Sequence, residues 1–166
     1  YIASANIEIA YNAASATSDD AADGEDEAEW VPFQGIVLGD TFQMTEDDDA
    51  LDETFFQDNN ARAERLRETP IQVIVGNPPY SAWQRSMDDD NPNLDYPTLD
   101  GRIERTYVSA SKSGLRNYSS LYDSYIRGIR WASDRIGDQG VIGYVTNGRF
   151  LDANAADGLR RALVDE

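Results

Sequence analysis

Residues 71–80 read Ile-Gln-Val-Ile-Val-Gly-Asn-Pro-Pro-Tyr and carry the strongest structural signal in the sequence. The first five are mostly β-branched and nearly all apolar, which is typical of a central parallel strand covered on both faces. Gly76 stops the run, and the two prolines after Asn77 lack the N–H groups that a continuing strand needs. We therefore predict a buried strand over 71–75 that ends in a rigid polar turn.

The segments around this strand alternate between helical and strand patterns. Apolar residues at helical spacing predict helices over 1–14 and 121–136. Residues 58–68 and 153–164 also suit helices, with Asp58 as a candidate cap of the helix over 58–68. Short apolar runs predict two further strands, at 36–38 and 141–145. This order predicts an α/β fold with a mostly parallel sheet and flanking helices.

A polar turn follows each of the three predicted strands. These turns are Gly39-Asp40, Gly76-Asn77 and Thr146-Asn147. In parallel α/β sheets, ligands bind beyond the carboxyl ends of the strands. We therefore expect the three turns to face one crevice.

Three further segments show no period. Residues 15–29 and 45–53 are rich in Asp and Glu, and we interpret both as acidic surface loops. Residues 81–117 are polar and turn-rich, and we interpret them as one long loop after the predicted turn at Asn77. Loops of this length in a compact domain are often functional.

The composition is strongly acidic, with a net charge of −17 over 166 residues. Three Trp and nine Tyr argue for a folded core and against an acidic disordered protein. An acidic surface for basic partners and adaptation to high salt remain as explanations. The spread of the acidic residues along the chain favours salt adaptation, and Lys112 is the sole lysine among 14 basic residues. The composition resembles that of proteins from halophilic archaea.

The absence of cysteine and histidine excludes several kinds of site within this chain. These are disulfides, Cys/His zinc sites and Ser-His-Asp triads. A site for Mg²⁺ or Ca²⁺ made of carboxylates alone remains open, but we predict no metal site. No apolar run approaches the roughly 20 residues that span a bilayer, and no signal-peptide pattern is present. We therefore expect a cytoplasmic protein without a membrane partner.

Asn77, Pro78, Pro79 and Tyr80 together suit chemistry on a planar amine. Such an amine is a weak nucleophile, and two acceptors for its N–H groups favour the tetrahedral geometry that attack needs. The side-chain oxygen of Asn77 and the carbonyl of Pro78 can be those acceptors, and the prolines stiffen the turn. Tyr80 can stack on a base that has left its duplex. Alternatively, the tetrapeptide is only a strand terminator and turn.

The stretch 71–84, IQVIVGNPPYSAWQ, resembles motif IV of the N6-adenine DNA methyltransferases. Other stretches resemble the methyltransferase domain of type ISP restriction-modification enzymes, in which helicase and methyltransferase are fused. They are YIASANIEIAY (1–11), GDTF (39–42), LDGRIERTY (99–107), LYDSYIRGIRWASDRI (121–136) and GVIGYVTNGRFLDANAADGLRRAL (140–163). The resemblance implies a partial Rossmann-like class I methyltransferase fold that uses S-adenosyl-L-methionine on double-stranded DNA with a flipped adenine.

The resemblance also assigns roles to individual residues. Asn77 and Pro78 would accept the hydrogen bonds of the target amine, Pro79 would hold the turn rigid, and Tyr80 would stack on the adenine. Gly39-Asp40 resembles motif III, whose Asp contacts the adenine part of the cofactor, although Asp40 can equally cap a turn. The basic residues Arg102, Arg105, Lys112 and Arg116 would either touch DNA phosphates or form local pairs.

One family motif does not occur in the sequence. The glycine-rich motif I, which holds the methionine end of the cofactor, is expected upstream of Tyr1, and the target-recognition region downstream of Glu166. We therefore expect residues 1–166 to be a partial catalytic domain whose partners are the missing parts of the same polypeptide, with helicase and nuclease modules as candidates. Three other functions remain as alternatives. These are methylation of protein glutamine, methylation of RNA guanine, and a non-catalytic remnant that packs against partner domains.

The isolated chain is predicted neither to bind S-adenosyl-L-methionine tightly nor to methylate DNA, because the main cofactor loop is missing from it. Isothermal titration calorimetry with the isolated chain measures the binding directly. A dissociation constant of about 1 μM, which corresponds to roughly −8 kcal/mol of binding free energy, would contradict the prediction.

Overall fold

The computed structural model describes residues 2–16, 30–46, 57–79, 96–114 and 118–166. The chain divides into two compact units. The first comprises residues 1–38 and 51–68, and the second comprises residues 39–50 and 69–166. Within the described ranges, no helix combines the length and the apolar character that crossing a membrane requires.

The first unit contains two helices, both predicted from the sequence. Helix α1 spans Ile2–Ala16, and helix α2 spans Gln57–Glu68. Asp58 lies inside the first turn of α2 and therefore does not occupy the cap position proposed for it. The predicted acidic loop over 15–29 lies outside the described residues, apart from its first two positions in α1.

The predicted strand at 36–38 is absent, because an asparagine side chain takes the hydrogen bonds that a neighbouring strand would make. The N–H of Leu38 donates to Oδ1 of Asn59 at 2.7 Å, and Nδ2 of Asn59 donates to the carbonyl of Leu38 at 2.8 Å. Asn12 of α1 makes the same two-way exchange with the backbone of Val31, with both bonds at 3.0 Å. Two amide side chains thus hold the backbone of Val31 and of Leu38.

The second unit contains a two-stranded parallel sheet, which confirms the predicted parallel pairing. Strand β1 spans Val73–Gly76, and strand β2 spans Val141–Tyr144. Val73 pairs with Val141 and Gly76 pairs with Tyr144. Both strands lie within one or two residues of their predicted positions.

Within the described residues only one face of this sheet is covered, so the expectation of two buried faces is not met there. Ile74 is 9% exposed, whereas the alternate side chains Val73, Val75, Val141 and Val145 are 61–80% exposed. Successive side chains of a strand point to opposite faces, so these four valines share the open face. The apolar run in the sequence is typical of a strand with helices packed on both faces. It does not show whether one face or both are covered.

A helix occupies residues that the sequence predicted as loop. Helix α3 spans Pro97–Ile103 and continues as a π-helical turn over Glu104–Val108. Leu99, Ile103 and Tyr107 recur every fourth residue and are buried. The predicted loop over 81–117 was therefore wrong for 97–108. The part of it from 81 to 95 lies outside the described residues.

A carboxylate distant in sequence caps helix α3. Pro97 occupies the first turn, where its missing N–H costs nothing. The buried carboxylate of Glu46 accepts the N–H of Thr98 at 2.8 Å and that of Leu99 at 3.1 Å. Glu46 belongs to the predicted acidic surface loop over 45–53, so that interpretation was wrong for this residue. Residues 47–53 of that loop lie outside the described ranges.

Two further helices, both predicted, complete the second unit. Helix α4 spans Ser124–Ile136 after a short 3₁₀ turn, and it ends at Gly137, whose φ of +71° favours glycine. Helix α5 spans Asp157–Asp165. Helix α4 packs against both strands, and α5 packs against the π-helical turn. The core between these elements consists of Ile103, Tyr107, Leu121, Tyr125, Ile126, Ile129, Ala156, Leu159 and Ala162.

A buried arginine joins α4 to the end of the chain. The side chain of Arg130 is 3% exposed, donates to Glu166 at 2.6 Å and to Asp134 at 2.8 Å, and lies over the ring of Tyr107. Asp134 also accepts from Arg102 at 2.6 Å. The Arg130 side chain is buried, whereas Asp134 and Glu166 are 28% and 39% exposed, so solvent makes these ion pairs weaker than fully buried ones.

Helix α5 is tied to the π-helical turn by a close backbone contact and to the residues after that turn by a carboxylate. The hydroxyl of Ser111 and the N–H of Lys112 both donate to Asp157 and hold its pKa below the usual value. This link contributes stability at neutral pH and is lost as the pH falls through the lowered pKa. At Gly158, a Cβ would overlap the carbonyl oxygen of Tyr107 and lie 2.8 Å from the nitrogen of Ser111.

Gly158→Ala is predicted to destabilise the fold by about 3 kcal/mol, the upper end of what overpacking usually costs, because the added methyl group meets rigid backbone. Chemical denaturation of the chain followed by circular dichroism measures the change. Gly148→Ala is the matched control, because a Cβ there has no neighbour within 4 Å. Equal stability of the two variants would show that α5 does not depend on the close contact.

Candidate functional site

Two of the three predicted polar turns leave the sheet at the same edge. Gly76 and Tyr144 are the last residues of their strands and are paired, and the N–H of Val145 donates to the carbonyl of Gly76 at 3.0 Å. Asn77 and Thr146 therefore follow neighbouring strand ends, as predicted. Asn147 has a local function there, since its Oδ1 accepts the N–H of Arg149 at 2.9 Å and caps the next 3₁₀ turn.

The residues predicted to act on the amine begin directly at this edge. Asn77 and Pro79 are exposed, and Pro78 is half-buried. Asn77 is thus accessible to a substrate, and it directly follows Gly76, whose carbonyl accepts the N–H of Val145. Tyr80 and the residues up to 95 lie outside the described ranges, so the predicted stacking residue and its neighbours stay a prediction.

The half-buried Pro78 packs on helix α4. A Cβ added at Gly128 of α4 would lie 3.3 Å from Cβ of Pro78 and 3.6 Å from its Cγ. The same added atom would lie 3.8 Å from the ring of Tyr144. Glycine at 128 therefore lets the first proline and the tyrosine of β2 approach the helix together. Gly128 and Tyr144 were not among the site residues predicted from the sequence. The pairing of the two strand ends was the signal that could have revealed Tyr144.

Asp40 caps a turn, one of the two roles that the sequence left open. Its Oδ1 accepts the N–H of Phe42 at 2.8 Å and that of Gln43 at 3.3 Å. Its Oδ2 accepts the hydroxyl of Tyr96 at 2.7 Å. Burial and this hydrogen bond raise the pKa of Tyr96, so its hydroxyl keeps its proton and donates at neutral pH. The preceding Gly39 is exposed, with Met44 as the nearest neighbour of an added Cβ.

The structure describes Arg102, Arg105 and Lys112 of the predicted basic stretch, and Arg102 is paired locally. Arg102 donates to Asp134 through both Nε and one terminal nitrogen, at 3.2 and 2.6 Å. Two functions were predicted for this stretch, contact with DNA phosphates or local ion pairs. For Arg102 the structure shows the local ion pair. Arg116 lies outside the described residues.

Two cavities in the second unit include none of the residues predicted for catalysis or cofactor binding. One, of about 150 Å³, is lined by Thr45, Thr98, Leu99, Arg102, Trp131, Asp134 and Arg135. The other, of about 550 Å³, is lined by Ala110, Lys112, Asp157, Arg160, Arg161, Val164 and Asp165. In the described part of the chain, no three acidic side chains gather in a way that could hold a metal ion.

Similarity to solved structures extends over nearly the whole chain. The chain is 44% identical, with a TM-score of 0.82 over 100% of its length, to the ATP-dependent type ISP restriction-modification enzyme LlaBIII bound to DNA. It is 45% identical, with a TM-score of 0.81 over 98% of its length, to a nuclease-deletion mutant of the type ISP enzyme LlaGI in complex with a DNA substrate mimic. A DrdV–DNA complex is 35% identical, with a TM-score of 0.71 over 99% of the chain.

The α/β arrangement of a small parallel sheet and flanking helices is thus similar to a segment of the type ISP restriction-modification enzymes. The chain spans 10%, 12% and 14% of the lengths of the three similar chains. No protein-family model and no curated protein matches it.

Asp40→Ala is predicted to destabilise the second unit by about 1 kcal/mol, the usual cost of a lost cap, whereas Asp40→Asn keeps an oxygen for the N–H of Phe42 and loses less. Thermal denaturation of the two variants measures the difference. Asp138→Ala, in an exposed turn, is the control. Unchanged stability of Asp40→Ala would mean that the bonds to Asp40 contribute nothing net.

Proposed function

We propose that this chain is part of a restriction-modification enzyme that transfers a methyl group from S-adenosyl-L-methionine to the exocyclic amine of adenine in DNA. One observation carries the proposal: an exposed Asn77 and a packed Pro78 leave the carboxyl edge of a parallel strand, where α/β proteins bind substrates. Similarity to DNA-bound type ISP enzymes over the whole chain supports the context. The fold that this function implies is part of a Rossmann-like class I methyltransferase domain.

The chemical function of this turn follows from the acceptors that it offers. The lone pair of the adenine amine is delocalised into the ring, so the nitrogen must become more tetrahedral before it can attack. An amide oxygen from Asn77 and the carbonyl oxygen of Pro78 accept its two N–H groups and favour that geometry. At the attack step the N–CH3 bond forms as the S–CH3 bond of the sulfonium breaks, and neither acceptor has to take a proton, which suits a chain without histidine. The methylated amine then loses one proton to solvent. Tyr80 would hold the flipped adenine by stacking.

The cofactor supplies the methyl group as part of a sulfonium, and Gly39 and Asp40 are the residues proposed to hold its adenine end. The exposed carboxylate of Asp40 accepts three hydrogen bonds from this chain. An ionised carboxylate has about four acceptor positions, and the described residues occupy three of them, which leaves room for a cofactor group. The carboxylate is also fixed in place by its turn and by Tyr96, which suits a binding residue. The glycine-rich part of the site is proposed to come from the remainder of the polypeptide.

The acidic composition is compatible with DNA binding at high salt. The Debye length at molar ionic strength is only about 3 Å, so the net negative charge of this chain repels DNA phosphates weakly there. We propose that the enzyme is adapted to high salt, as its acidic and lysine-poor composition suggests. DNA contacts and the remaining modules of the enzyme are proposed to lie in the longer polypeptide, of which this chain would be a small part.

Asn77→Ala in the full-length protein is predicted to reduce adenine methylation by at least about hundredfold while cofactor binding survives, because an acceptor aimed at the reacting group is lost. Transfer of radiolabelled methyl groups to duplex DNA measures the rate, and calorimetry measures the affinity for the cofactor. Asn147→Ala is the matched control, since Asn147 stands at the neighbouring strand end but caps a turn.

Three results would contradict the proposal. Methylation at the wild-type rate by Asn77→Ala would show that the Asn77 side chain is not the required acceptor. Equal loss of methylation and of cofactor affinity would show that Asn77 maintains the structure of the site and does not act on the amine. Wild-type protein that methylates RNA or a glutamine-containing release factor, and not DNA, would replace the substrate class.

A further inference from the structure

We propose that Tyr144 is a positioning residue that fixes the Asn77-Pro78-Pro79 turn from the end of the neighbouring strand. Its catalytic consequence rests on the proposed function, because it acts through Asn77 and Pro78. Its structural part does not, because the contacts of the Tyr144 ring are independent of any substrate.

The first contact of the ring is with the backbone immediately before the turn. A Cβ added at Gly76 would lie 2.9 Å from Cε1 of Tyr144 and 3.3 Å from its Cδ1. The ring therefore occupies the space that any other side chain at 76 would need. Gly76 is also paired with Tyr144 in the sheet, so the two residues are held together by backbone and by side chain.

The second contact joins the ring to helix α4. The hydroxyl of Tyr144 donates to the carbonyl of Gly128 at 3.4 Å, a long bond that contributes little compared with packing. The ring lies 3.8 Å from an added Cβ at Gly128, and Pro78 lies 3.3 Å from the same point. Gly76, Pro78, Gly128 and Tyr144 thus form one packed group, which we call the turn clamp.

The turn clamp connects an exposed residue to the core. Tyr144 is half-buried and packs against the core cluster of the second unit. Asn77 is exposed. Acceptors for a reacting amine must keep their positions closely, since a displacement of about 1 Å can reduce a rate roughly hundredfold. The Tyr144 ring is suited to limit such a displacement by filling the space between Gly76, which precedes the turn, and Gly128, on which Pro78 packs.

The kinetic test compares two replacements in the full-length protein. Tyr144→Leu keeps an apolar side chain in the core but has no ring atom at the position of Cε1. It is expected to lower kcat for DNA methylation by about ten- to hundredfold with little change in the affinity for the cofactor. Tyr144→Phe keeps the ring and is expected to stay within about threefold of wild type, because the lost hydrogen bond is weak.

A double-mutant cycle tests the contact with Gly76 directly. Gly76→Ala alone is expected to lower kcat, because its methyl group meets the Tyr144 ring. In the Tyr144→Leu background the same methyl group has room, so adding Gly76→Ala is expected to cost much less. Non-additivity of this kind identifies residues in direct contact. Additive losses would overturn the proposed contact.

Hydrogen–deuterium exchange supplies a measurement that does not depend on methylation. The N–H groups of Gly76 and Asn77 are expected to exchange faster in Tyr144→Leu than in wild type, while those of α5 are unchanged. Wild-type kcat and unchanged exchange in Tyr144→Leu would overturn the positioning function even if Asn77→Ala is inactive. Faster exchange in a protein that methylates no adenine would support the turn clamp and refute the proposed function.

Discussion

The parallel pairing of Gly76 with Tyr144 is the constraint on which the candidate site depends. It places the ends of two strands side by side, so that Asn77 and Thr146 start from one edge. It also places an aromatic ring next to a residue without a side chain, where the ring can lie close to the backbone. Another register would separate the ring from Gly76 and leave the proline turn without support from the core.

Carboxylates stabilise this fold at several positions, which changes how its acidic composition is understood. Glu46 caps helix α3, Asp40 caps a turn, and Asp157 joins helix α5 to the backbone of Lys112. Asp100 binds Arg127 through two hydrogen bonds, at 2.8 and 2.6 Å. A residue count treats all acidic side chains as surface charge. Part of the acidity instead satisfies N–H groups and arginines of the fold itself.

The sequence predicted those features that depend on local pattern. Four helices and the parallel strands were predicted from the local sequence pattern, and the turn at Asn77 was predicted from glycine and proline. The helix over 97–103 was missed because its polar residues outnumber its apolar residues, although Leu99 and Ile103 have helical spacing. The strand expected at 36–38 failed because Asn59, 21 residues away, takes the backbone bonds of Leu38. Contacts of that kind depend on tertiary structure, which a single sequence does not contain.

The open face of the sheet has a consequence for the colloidal behaviour of the chain. Four valines of β1, β2 and the residue after β2 are exposed there. Concentrated kosmotropic salts strengthen the association of apolar surfaces, and salt also screens the repulsion that a net charge of −17 provides at low ionic strength. Both effects act in the same direction on this face. An acidic chain of this kind would therefore become more self-adhesive in brine, unless a second layer of structure covers the valines.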